Sequence, residues 1–152
     1  MPHIFQISVS KGGKPKLPIH DDLVTFTGLT SDSQNNKDKH GGTERALCLF
    51  SLEKLLEIQK AGLAVFPGAM GENITTFGLD WDSLKVGDKL SLGKKVKIEI
   101  SLKGGPCKNI SQYYTENTHH NIDETVFNSW SRFYARVLEE GIINIGDKIE
   151  LI

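Results

Sequence analysis

The stretch "VKIEISL" at 96–102 alternates strictly, with Val96, Ile98, Ile100 and Leu102 pointing one way and Lys97, Glu99 and Ser101 the other. A period of two fits a strand with one face on a core and the other in water, and it excludes an amphipathic helix, whose apolar positions recur every three to four residues. Other short segments carry the same signature. "HIFQISVS" at 3–10 places Phe5, Ile7 and Val9 on one face, and "RALCLF" at 45–50 sets Cys48 and Phe50 together. Strand signals of this length predict a mainly β architecture.

Two further stretches echo one another, "LKVGDKLSLG" at 84–93 and "INIGDKIELI" at 143–152. Gly-Asp followed by alternating apolar residues reads as a turn feeding a strand. Two copies are too few for a solenoid, so they predict similar corners in a barrel or sandwich. One helix stands out. Ser51 is placed to cap it, Glu53 lies in its first turn, Leu52, Leu55, Leu56 and Leu63 follow helical spacing, and Gly62 can end it. Shorter helices are expected at 81–84 and in "KNISQYY" after Cys107. The polar stretches at 31–42 and 115–125 read as long surface loops.

With 152 residues and a formal charge of −1, the chain is expected to form one domain spanning 1–152. Its balanced charge offers no footprint for nucleic acid and no basic helix for a membrane surface. No apolar run reaches the roughly 18 residues of a spanning helix. The opening "MPHIFQISVSKGG" has no charged leader before a long apolar stretch, so no signal peptide is expected. Two cysteines 59 positions apart form neither a disulfide framework nor a paired CxxC site. A cytoplasmic protein with reduced thiols is the expectation.

Three segments hold residues suited to chemistry. "KGGPCKN" sets Cys107 behind two glycines and a proline, with Lys103 and Lys108 on either side. Neighbouring cations favour a thiolate, a soft ligand and strong nucleophile. The alternative is an ordinary loop cysteine; Cys48, in an apolar run, reads as core. "FPGAMGENITTFGL" at 66–79 offers glycines for close backbone approach and neutral donors at Asn73, Thr75 and Thr76, or else a structural hairpin loop. "KHGGTERAL" at 39–47 presents His40 and the planar fork of Arg45 beside two glycines, without phosphate-loop spacing. Read singly, Arg45 is more often a surface ion-pair partner and His40 more often a solvated loop residue. The adjacent His119 and His120 read as solvated loop residues rather than a metal site. Tyr113, Tyr114, Trp130, Phe133 and Tyr134 are either pocket or core aromatics.

Taken in order, HGG-x-x-RA, PGAMGENIT-x-x-GL, VGDKLSLG, a strand ending in PC, and YARVLEEG-x-x-x-x-GD resemble the MOSC family, the C-terminal domain of molybdenum-cofactor sulfurases that also occurs as small stand-alone bacterial proteins. The likeness runs from about Ile4 to Leu151. It implies a β-barrel-like domain with a few short helices that binds the molybdenum cofactor, a pterin with a dithiolene and a terminal phosphate. Cys107 matches the proposed metal ligand or sulfur carrier, and Gly71, Glu72, Asn73 and Thr75 fall in the cofactor-facing GEN segment. His40 and Arg45 border the same cleft, and Lys108 is a further candidate contact. Relatives often carry an arginine just before Pro-Cys; here Gly105 stands there, so a cation would have to come from Lys103 or Lys108.

Two activities occur among such relatives: reduction of N-hydroxylated small molecules, and carriage of sulfur as a cysteine persulfide. The first needs an electron-donor protein and the second a pyridoxal-phosphate-dependent cysteine desulfurase. A non-catalytic carrier of the cofactor is the third reading. The stand-alone chain favours the reductase.

Overall fold

In the computed structural model, residues 1–12, 14–32, 42–108 and 110–152 are described. The alternating stretch at 96–102 lies in β8 (Val96–Gly105), the longest of the described strands. Around it run β1 (His3–Val9), β2 (Leu17–Ile19), β5 (Leu47–Ser51), β6 (Ile74–Phe77), β7 (Lys89–Leu92), β9 (Arg132–Glu139) and β11 (Ile149–Leu151). They form one eight-stranded sheet in the order β11-β7-β8-β9-β5-β6-β1-β2. β3 (Asp21–Thr25), β4 (Gly28–Leu29) and β10 (Gly141–Asn144) make a second sheet, with β3 between the other two.

β5 and β6 are parallel, and the connection between them contains helix α1 (Leu52–Lys60). The Ser51 side chain accepts the Lys54 N–H at its N-terminus, as the sequence implies. All five β5 residues are buried, which accounts for a continuous apolar run there instead of alternation.

The two echoing stretches are neighbours. β7 and β11 pair with each other, Ile149 opposite Leu92 and Leu151 opposite Leu90. In each preceding turn the aspartate accepts the backbone N–H three residues upstream, Asp88 from Lys85 at 3.0 Å and Asp147 from Asn144 at 2.8 Å. β11 then reaches back to β1. A bridge joins His3 and Lys148, Ile4 N–H donates to Asp147 O at 2.8 Å, and Gly146 N–H donates to Ile4 O at 2.7 Å. The sheet is therefore barrel-like, drawn together by these few bonds and not closed by a full ladder.

β1 and β8 depart from strict alternation at bulges, where one extra residue flips the faces beyond it. In β1 the register shifts between Ile4 and Gln6, leaving Phe5 45% exposed while Ile4 and Ile7 are buried. In β8 it shifts between Ile100 and Leu102, so Ser101 turns inward and donates to the Glu44 carbonyl while Leu102 is only half-buried. The expected short helices are 3-10 turns, Trp81–Ser83 and Ile110–Tyr113. The 115–125 stretch is more ordered than its composition suggests. Thr118 Oγ1 donates to Gly62 O at 2.9 Å, His119 N–H donates to Ala61 O at 2.8 Å, and Asp123 caps helix α2 (Glu124–Asn128). Among the described residues no helix is long and apolar enough to cross a membrane.

The core gathers around β5, β8 and β9, with Leu49, Phe50, Ile98, Ile100 and Ala135 fully buried. Leu49→Ala is expected to cost about 2–5 kcal/mol, whereas Leu138→Ala, at a 41% exposed position of β9, changes stability by no more than about 0.5 kcal/mol. Urea unfolding of the two variants checks the difference.

Candidate functional site

The turn at 66–71, within "FPGAMGEN", carries the loop that links β1 to β2. Lys16 N–H donates to Gly68 O at 3.1 Å. A Cβ on Gly68 would lie 2.2 Å from the Lys16 carbonyl oxygen, and one on Gly71 would lie 3.2 Å from the Lys14 side chain. Both glycines also have positive φ, +95° and +80°, which side-chain-bearing residues rarely adopt. These glycines thus seat a neighbouring loop. The Lys14 stem crosses Gly71 and its ammonium donates to Cys107 Sγ at 3.0 Å.

Behind that turn the GEN side chains point into the protein. Glu72 is fully buried, accepting from Met70 N–H at 3.1 Å and from Thr75 Oγ1 at 3.0 Å. Asn73 is 1% exposed. Its Oδ1 accepts Cys48 N–H at 3.0 Å, and its Nδ2 lies 2.8 Å from Asp32 Oδ2 and 3.4 Å from Ser8 O. The sequence reading places Glu72, Asn73 and Thr75 towards a ligand; here all three have internal partners and shape the ground on which the site stands. Asp32 in turn pairs with Lys16 at 2.7 Å, both side chains almost wholly buried.

Cys107 follows β8 directly and is 2% exposed. The cations expected beside it differ from those found. Lys103 and Lys108 are exposed. Lys14 supplies the ammonium instead, and a guanidinium comes from Arg132, the cross-strand partner of Gly105. Arg132 donates from Nη1 to Met70 O at 3.2 Å and lies within electrostatic reach of Cys107, Cys48 and Glu72. Thus Gly105, just before Pro-Cys, faces an arginine from the adjacent strand.

Arg132 shares the Tyr134 ring with Arg45, the guanidinium carbons lying 5.9 and 5.2 Å from its centroid. Arg45 ends a 3-10 turn, Thr43–Arg45, anchored by its neighbour Glu44, which pairs with Arg136 and accepts from Ser101 through its carbonyl. Cys107, Arg45 and Arg132 all act electrostatically on the Tyr134 phenol. Tyr113 closes another side, its hydroxyl donating to Ala69 O at 3.3 Å. Cys48 lies deeper; burial pushes its thiol up to about 12, which fits the core role read from the sequence. His40 lies outside the described residues. His119 and His120 are exposed, as expected of loop residues.

The structure therefore brings together Cys107, Arg45 and Gly71, and adds Lys14, Arg132, Lys16 and Asp32, which the sequence reading missed. The signal for the two lysines was the compact "SKGGKPKLP" between strands; nothing local marked Arg132 or Asp32. A separate cleft of about 680 Å³, lined in part by Lys54, Lys60, His119, Val126 and Trp130, contains none of these residues.

Comparison with known proteins places the chain. The MOSC domain profile matches residues 36–150. The chain is 34% identical to the YiiM protein of Escherichia coli over 112 residues, 67% of this chain and 49% of the relative. It is 27% identical to YflK of Bacillus subtilis, covering 92% of this chain and 63% of that one. A protein named as a reductase from Gibberella moniliformis is 29% identical over 140 residues, 24% of its length. The chain thus spans less than two thirds of each of these relatives. Among solved structures, YiiM of Geobacillus stearothermophilus superposes with a TM-score of 0.73 at 25% identity, over all of this chain and 75% of that one. YUAD of Bacillus subtilis, at 16% identity, shares the fold with the same TM-score over 99% of this chain and 96% of that one.

Burial raises the Glu72 carboxyl above its ordinary value of 4.5. Folded protein then holds this proton more tightly than unfolded protein does, so the contribution of Glu72 is complete below about 4.5 and is lost as pH rises through the raised value. Urea titrations across that window are expected to show stability falling with pH in wild type relative to Glu72→Gln, which lacks the group. Parallel curves would contradict this.

Proposed function

The chain belongs to the MOSC domain family, and from that premise we propose that it binds the molybdenum cofactor, with the Cys107 sulfur as a metal ligand, and reduces N-hydroxylated small molecules. One observation carries the reading: a thiol sulfur held 3.0 Å from an ammonium and within reach of a guanidinium. Sulfur is a soft donor. Among the described residues no three His, Cys, Asp or Glu side chains gather as a metal site. A lone sulfur suits a metal whose remaining ligands belong to an organic cofactor. The cofactor's phosphate is anionic, and Arg132 and Arg45, flanking Tyr134, are suited to it, since guanidinium groups match phosphate geometry.

When bound, the cofactor would supply oxygen-atom transfer and electron storage. The chain's own residues bind, orient and shield. Cys107 Sγ would donate an electron pair to the metal, Lys14 would fix the direction of that sulfur, and Arg132 and Arg45 would orient the anionic end. The buried cluster that includes Cys107 and Ile110, with Tyr113 against it, keeps bulk water from the sulfur. An electron-donor protein completes the cycle. The relative named as a reductase supports this choice of reaction.

The test is reconstitution with molybdenum cofactor and a chemical reductant, followed by assay on an N-hydroxylated base. Turnover is expected in wild type and is expected to fall by about 100-fold or more in Cys107→Ser, the loss typical of damaged metal ligation. Absence of turnover, with a persulfide on Cys107 after incubation with a cysteine desulfurase, would replace the reductase by a sulfur carrier. Equal cofactor retention by wild type and Cys107→Ala, with no activity in either, would leave a storage protein.

A further inference from the structure

The loop that carries Lys14 is tied at both ends to one carboxylate. Asp32 Oδ1 accepts the Ser10 backbone N–H at 2.9 Å, where the loop leaves β1. Both Asp32 oxygens accept the Lys16 ammonium, at 2.8 and 2.7 Å, where the loop enters β2. Asp32 is fixed in turn by Asn73 Nδ2 at 2.8 Å, and Asn73 by the backbone N–H of Cys48 in β5. Lys14 lies between the tied ends, and its own residue is exposed. An exposed lysine ordinarily samples many rotamers, and holding it in one costs side-chain entropy. Closing its loop at both ends, and laying its stem on Gly71, removes much of that freedom before the ammonium meets the sulfur.

We propose that Asp32 is the positioning residue of this site, holding the 10–16 loop so that Lys14 stays on Cys107. This rests on Cys107 being the reacting atom of the proposed function. Asp32 touches neither sulfur nor substrate; it acts through Lys14. Its negative charge makes the idea testable by sign. Loss of a nearby carboxylate, by itself, makes the surroundings of Cys107 more positive. Release of the loop takes the Lys14 ammonium away and makes them less positive.

The experiment uses the whole, cofactor-free protein and two alkylating reagents of similar shape, anionic iodoacetate and neutral iodoacetamide, read at the Cys107 peptide by mass spectrometry. Their rate ratio reports local potential and cancels simple accessibility. Lys14→Met is expected to lower the iodoacetate-to-iodoacetamide ratio about threefold or more, as for loss of a cation beside the sulfur. Asp32→Asn is expected to lower it likewise, although it removes a negative charge, and to lower it no further in the Lys14→Met background. A ratio that rises or stays level in Asp32→Asn overturns the proposal. So does a fall that persists without Lys14, or a wild-type Cys107 inert to both reagents. Should Asp32→Asn not fold, Asp32→Glu keeps the charge while shifting the tie; its ratio must fall, and a wild-type ratio overturns the proposal. Because no cofactor is used, failure here leaves the proposed function standing, and failure of cofactor binding leaves this result intact.

Discussion

A carboxylate almost wholly removed from water is tolerable only with its lone pairs occupied and its charge matched. Asp32 meets that condition with three donors from two segments: Ser10 and Lys16 at the ends of the β1–β2 loop, and Asn73 of the GEN segment. The requirement works in reverse as well. Because the buried charge must be satisfied, the β1–β2 loop, the GEN segment and the residues just before position 33 are held in one arrangement. Removing the Lys16 ammonium would strand the Asp32 charge in the interior, a change that usually costs about 3–5 kcal/mol. The placing of Lys14 and the seating of its stem on Gly71 follow from that knot.

Cys107 is placed by different means. It follows the end of β8, a strand flanked by β7 and β9 and bulged twice along its pairing with β9 at 100–105. Those bulges bend the strand and bring Gly105 opposite Arg132. The sulfur therefore faces cations from two sources with unrelated supports, an arginine on the sheet and a lysine on a loop. Arg45 reaches the same region from a 3-10 turn tied to β8 and β9 through Glu44, Ser101, Glu99 and Arg136. Sheet geometry sets one side of the site and the buried ion pair sets the other.

The strands and the main helix were legible in the sequence because each rests on a local rule: alternation in "VKIEISL", a serine cap before the leucines of α1, and Gly-Asp turns in the paired echoes. Phe5 and Leu102 were misplaced because a bulge is a matter of pairing with another strand, which periodicity within one strand does not encode. The motif order revealed the MOSC family and with it the neighbourhood of Cys107. It did not reveal who stands beside the sulfur. Lys103 and Lys108 are near in sequence and point to solvent, whereas Lys14 is 93 positions away and arrives through the glycine-seated loop. The reading of Asn73 and Glu72 as cofactor-facing rests on polar residues set behind glycines, as in a binding loop. Satisfying buried polar groups demands the same residue types.

The measurement that bears most directly on the whole account is the molybdenum K-edge X-ray absorption spectrum of cofactor-loaded protein, compared with that of Cys107→Ser loaded in the same way. A sulfur shell in wild type larger by one ligand than in the variant is the predicted result. Identical sulfur shells, with the cofactor bound to both, would contradict it.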